Sequence, residues 1–199
     1  MKVFGIGFQR TGNTSLWAAL NMLGISTVKF PKQLYYDPDH PILNRYEGFT
    51  DNPIPLLYQK LDRRFPGSRF ILTVREEQSW LKSVEWLYTI GAIKFYWNER
   101  LETDEIHQAL YGATNFDPKI FLERYRQHNR SAVEYFADRP GDLLVMEIHA
   151  GDGFAKLCPF LGLPAPRKPF PRRNRSEPLW RVNSRVLFKK LKTSWKNLF

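Results

Sequence analysis

Cysteine is nearly absent. Cys158 stands alone among 199 residues, so no internal disulfide can form and a reducing compartment is the expected setting. Its neighbours Leu157, Pro159 and Phe160 mark it as a small core residue rather than a reactive thiol. Long hydrophobic runs are missing as well, and no segment reaches the length that spans a bilayer. The opening Met1-Lys2-Val3-Phe4-Gly5-Ile6-Gly7 enters strand-like sequence at once and meets Arg10 before a signal-type apolar region is built. A cytoplasmic location is the expectation. None of His107, His128 and His149 shows the spacing of a metal site, so no metal is expected. Internal repeats and low-complexity segments are lacking too.

What is present is enough apolar sequence, 43% of the chain, for one core that needs no staple. The net charge of +10 is gathered at one end. From Pro164 to Phe199 there are eleven Lys and Arg against Glu177 alone, leaving 19 residues of each sign before Pro164. A neutral body with a basic tail points to an anionic ligand or surface met by the tail, not to a nucleic-acid-coating protein, and no nucleic-acid recognition motif is found. In the tail, Leu179, Val182, Val186, Leu187, Leu191, Trp195 and Leu198 recur at helical steps. The expected organisation is a domain over 1–175 and a basic amphipathic helix over 176–199 packed on it, with an anionic membrane or a second copy as the alternative seat.

Along the chain, Val3–Phe8 reads as a buried strand and Thr14–Leu23 as a helix closed by Gly24. Ser26–Phe30 is a second strand, and Pro31–Thr50 reads as loop. Asp51 or Asn52 then caps a helix from Pro53 to Phe65. Arg69–Val74 is a third strand, followed by a helix over Gln78–Thr89 and a longer one from Asp117-Pro118 to Ala137. Leu143–Ile148 is the last strand and Gly153–Leu161 the last helix of the body. This alternation predicts an α/β fold, a parallel sheet with helices on both faces.

Gly7-Phe8-Gln9-Arg10-Thr11-Gly12-Asn13-Thr14-Ser15 lies where the first strand turns into the first helix. Backbone N–H groups from Thr11 to Ser15 would converge on an anion at the positive end of the helix, joined by the Thr14 and Ser15 hydroxyls. The plainer reading is an ordinary turn with a hydroxyl cap. The loop lacks the Lys of a nucleotide-hydrolysing motif, since Asn13 stands in its place, and the third strand ends in Arg75 where a magnesium-binding acid belongs.

These residues resemble the sulfotransferase superfamily, a P-loop-type fold that uses 3′-phosphoadenosine 5′-phosphosulfate. Gln9 to Ser15 is similar to its 5′-phosphosulfate loop. Phe70-Ile71-Leu72-Thr73-Val74-Arg75 with Ser83 resembles its 3′-phosphate site. Glu147, Gly151-Asp152-Gly153 and Leu161-Gly162-Leu163-Pro164 match its late strand, helix and exit. The resemblance implies a metal-independent transferase that binds the donor, and the product adenosine 3′,5′-bisphosphate, through Arg10, Thr11, Gly12, Asn13, Thr14, Ser15, Arg75 and Ser83. By the same resemblance, Arg172, Arg173 and Asn174 would close over the 3′-phosphate. The acceptor would be a small-molecule, glycan or lipid hydroxyl, or an amine.

Sulfuryl transfer needs a base for the acceptor proton and positive charge on the departing oxygen. Asp51, similar in place to the family's His before x-Pro, is the candidate base, with Glu47 and His40 as fallbacks and a helix cap as its plainer role. Arg10 is the candidate charge, although it cannot donate a proton at ordinary pH. The aromatics Trp80, Trp86, Tyr88, Phe95, Tyr96 and Trp97, with Tyr35 and Tyr36, suit either core or acceptor wall, and Gly91–Thr103 suits a lid. The competing readings are a nucleotide-kinase-type phosphotransferase and a non-catalytic adenosine-bisphosphate-binding protein.

Overall fold

A computed structural model describes residues 1–89 and 100–172. The elements run β1 (Val3–Gly5), α1 (Asn13–Met22), β2 (Thr27–Lys29), α2 (Gln33–Tyr36), α3 (Ile42–Arg45), β3 (Gly48–Thr50), α4 (Ile54–Arg64), β4 (Arg69–Thr73), α5 (Glu77–Thr89), α6 (Arg100–Tyr111), α7 (Pro118–Tyr135), β5 (Leu143–Met146) and α8 (Phe154–Leu161). The strands form one five-stranded sheet in the order β2-β3-β1-β4-β5, and every pairing is parallel.

Alternate residues of each strand feed different cores, as the two-residue strand period requires. Val3, Ile71 and Met146 face α1 and α8, packing with Leu16, Leu20, Leu157 and Cys158. Phe4, Phe49, Phe70 and Leu72 face the other side, against Ile54, Tyr58 and Leu61 of α4 and Ala132 of α7. A third cluster ties α5, α6 and α7 together through Phe8, Trp80, Ile106, Tyr111, Phe121 and Tyr125. The parallel sheet covered on both faces is therefore as expected, and Cys158 is a free, buried core residue.

The largest departure is β3. Gly48–Thr50 was expected as loop, yet it pairs with both β1 and β2. Three residues are too few to show a period, and Gly48 is needed because a Cβ there would lie 2.2 Å from Thr27 Oγ1. Arg75 consequently follows the fourth strand, not the third. The supposed loop also contains the turns α2 and α3. Arg100–Thr103, expected in a lid, opens α6. Asp117 caps α7 as expected, accepting from the N–H groups of Lys119 and Ile120. Phe95, Tyr96, Trp97, Arg173, Asn174 and the helix expected over 176–199 lie outside the described residues. Among the described residues no helix is long and apolar enough to cross a membrane.

Candidate active site

All five strands point their carboxyl ends at one edge, and the connections from β1 and β3 leave it on opposite sides of the sheet. That reversal opens the crevice in which α/β proteins hold ligands.

The loop after β1 owes its shape to two glycines used differently. Gly7 is pressed against β4, where a Cβ would lie 2.0 Å from Thr73 Oγ1. Gly12 has φ of 120° and ends the loop at α1 with no side chain capping that helix. The first N–H groups of α1 thus face the crevice with the positive end of the helix dipole behind them. Asn13 and Thr11 turn inward. Asn13 donates to the carbonyls of Gly7 (2.9 Å) and Phe8 (3.2 Å) and accepts from Thr73 Oγ1 at 2.9 Å. Thr11 Oγ1 donates to Phe8 O and lies 2.6 Å from Thr73 Oγ1. These side chains brace the loop against β4.

Among the described residues, three other than glycine have positive φ: Arg10 (70°), Phe30 (54°) and Asp51 (73°). They follow β1, β2 and β3. Left-handed backbone costs such residues about 1–2 kcal/mol each, and it collects at functional sites because the surroundings hold it there.

On the α5 side of the loop, Arg10 Nε donates to Ser83 Oγ at 2.9 Å and its guanidinium lies over the Trp86 ring. Ser83 is buried. Arg75 donates through Nε to Ser79 and through a terminal nitrogen to the Arg10 carbonyl at 3.4 Å. The acids that follow Arg75 are engaged elsewhere: Glu76 accepts from the N–H groups of Gln78 and Ser79, and Glu77 pairs with Arg126. Burial and then Arg75 pull the Arg10 pKa down. Two guanidinium groups beside one helix N-terminus carry the charge and the donors that a bound anion would need.

His149, which sequence reasoning passed over, completes that side. Burial first, then Arg75, Arg10 and the exposed Arg172, depress its pKa, although it bonds the Arg10 backbone. Its only signal in the sequence was its place just beyond β5.

Asp51 lies on the opposite side. It does not cap α4, whose N-cap is Pro53 without a side-chain bond; its Oδ1 accepts from Asn52 N at 3.0 Å. Burial raises its pKa, opposed first by Lys29 and then by the Asn52 N–H, Asn13 and Arg10. Lys29, at the end of β2, reaches Thr14 Oγ1 at 2.9 Å and Asp51 Oδ2 at 3.9 Å. Nothing in its sequence neighbourhood marked it, because β2 comes to lie beside the loop only in the folded sheet. The fallback bases are placed elsewhere. Glu47 precedes β3 and accepts from Ser26 N at the sheet's other edge, and His40 Nδ1 accepts from Ile42 N within its own turn.

Beyond Asp51 lies a polar patch inside the third core cluster. Burial first, then Tyr88 and Asp51, push the Tyr111 pKa up, with Gln9 pulling the other way. Buried Gln9 Nε2, Tyr88 Oη, Tyr111 Oη, Thr50 Oγ1 and Asn52 Oδ1 have no hydrogen-bond partner. Trp80 is core, stacked on Tyr125, whereas Tyr88 is half-buried.

A parallel α/β sheet with a glycine-shaped loop after its central strand, two guanidinium groups beside it and a buried carboxylate across it is an arrangement suited to a group transferase. The family model described as "Sulfotransferase domain" matches residues 39–179. The chain belongs to that family. The match spans Asp51, Arg75, Ser83 and Arg172, while the loop from Gly7 to Ser15 precedes it. The chain is also similar to "Ava biosynthesis cluster protein M" of Aspergillus versicolor, at 26% identity covering 100% of this chain and 88% of that protein.

Proposed function

We propose that this sulfotransferase-family protein moves a sulfuryl group from 3′-phosphoadenosine 5′-phosphosulfate to the hydroxyl of a small molecule. The observation that carries the reading is the pair of charged sites facing each other across the phosphate loop, Arg10 and Arg75 on one side and Asp51 on the other. Backbone N–H groups from Thr11 to Ser15 hold the 5′-phosphate, and Arg75 with Ser83 and Arg172 holds the 3′-phosphate. Arg10 spans the two groups through its bond to Ser83.

Asp51 takes the acceptor proton. A carboxylate whose pKa is raised by burial is a better base than a solvated one, and Lys29 is the first of the groups that oppose that rise. The unpartnered polar atoms of Gln9, Tyr88, Tyr111 and Asn52 are the natural contacts for an acceptor with several hydrogen-bonding groups. Burial raises the pKa of both phenols, so they meet that acceptor as neutral groups.

Calorimetry tests the donor assignment. Adenosine 3′,5′-bisphosphate binds without magnesium and ATP with magnesium binds far more weakly; the reverse order would replace this reading with a phosphotransferase.

A further inference from the structure

Resting on that donor assignment, we propose that Lys29 supplies the ammonium group that the phosphate loop lacks, holding the sulfuryl end of the donor between Thr14 and Asp51. The position that would carry a lysine in the loop is Asn13, and its amide is committed to the carbonyls of Gly7 and Phe8. Arg10 is bonded to Ser83 and lies over the Trp86 ring on the α5 side, and its pull on Asp51 is the weakest of those that oppose burial there. Its charge serves the α5 side. On the Asp51 side the cation is Lys29, with Nζ 2.9 Å from a loop hydroxyl and 3.9 Å from the carboxylate.

The sheet places it there. Lys29 pairs in register with Thr50, the residue before Asp51, so the two side chains leave neighbouring strand ends at the same level. A reacting sulfuryl group must lie between the loop, which holds its phosphate, and the base, which holds the acceptor. Lys29 touches both boundaries of that space.

In the transfer, the acceptor oxygen forms a bond to sulfur while its proton passes to Asp51. The bond from sulfur to the bridging oxygen breaks, and its electron pair stays on the phosphate of adenosine 3′,5′-bisphosphate. Lys29 remains an ammonium throughout and stabilises the charge on that oxygen. Thr14 and Asp51 hold it ready, so little reorganisation accompanies the step. A mere surface ion pair at 3.9 Å would contribute almost nothing measurable, and this separates the two roles.

The test compares donor with product in the wild type, Lys29→Met and Lys29→Arg, using calorimetry and the release of adenosine 3′,5′-bisphosphate from the donor with water as acceptor. Lys29→Met should bind the product within about threefold of wild type, bind the sulfated donor roughly 10- to 100-fold more weakly, and release product roughly 100-fold more slowly. Lys29→Arg should recover part of the donor affinity. Equal losses for donor and product would show that Lys29 only braces Thr14 and would overturn the proposal, as would no loss for either. Wild-type protein that binds neither compound refutes the donor assignment itself, before any Lys29 variant is compared.

Discussion

Arg10, Phe30 and Asp51 hold their strained backbones at three neighbouring strand ends, and this dictates how Asp51 should be probed. Asparagine tolerates left-handed backbone better than most residues, so Asp51→Asn removes the charge without releasing the chain. Product binding should be unchanged while transfer falls by about a hundredfold or more. Stability should move the other way. The Asp51 pKa is raised on folding, so the folded state binds the extra proton and wild-type stability is lost as pH rises from the ordinary aspartate range through the raised value. Melting curves at pH 4 and pH 7 check this: Asp51→Asn should melt above wild type at pH 7, and the gap should close at pH 4. At the proposed 3′-phosphate site, Arg75→Ala should weaken product binding by about 1.5–3 kcal/mol, read by calorimetry. The residue types and order of these sites were legible in the sequence, because loop, Arg75 and Ser83 follow their strands at informative spacings. Lys29 and His149 were not, since their roles come from strands that become neighbours only in the folded sheet.

The same limit appears among the elements. β1 and β4 announced themselves as apolar runs, and Asp117-Pro118 announced the start of α7. The three residues of β3 carry no such signal, and their pairing on both sides outweighs the turn-rich sequence before them. With β3 unread, Asp51 was legible as a candidate base only from its place before Asn52-Pro53, with a helix cap as its plainer role, and not as a strand-end carboxylate. α7 has a further duty that its amphipathic pattern did not disclose. Tyr125 Oη accepts from the Arg75 N–H and donates to the Arg75 carbonyl, each at 2.8 Å, holding the peptide just beyond β4. Tyr125→Phe should therefore cost about 1–3 kcal/mol in stability, the scale for orphaning buried polar groups, and should also weaken binding of adenosine 3′,5′-bisphosphate. Urea denaturation and calorimetry on the same preparation measure the two losses.

For the molecule as a whole, two buried histidines set the acid limit. Burial pushes the pKa of His107 and His128 down to about 4 from 6.5, so both are neutral when folded. Their contribution is fully present above pH 6.5 and is lost as pH falls toward 4, where the unfolded chain binds protons that the folded one refuses. Each depression corresponds to roughly 3 kcal/mol. Melting temperature should fall across that window, and the neutral variant His128→Gln should flatten the fall. His128 also ties α7 to the loop, since its Nε2 lies 2.7 Å from the carbonyl of Ile6. One turn of α7 thus grips the chain beyond β1 through His128 and the chain beyond β4 through Tyr125. For hydrogen exchange this makes both halves of the crevice and the middle of α7 a single opening unit. A nucleotide seated on the loop would then slow amide exchange along a helix that it never touches.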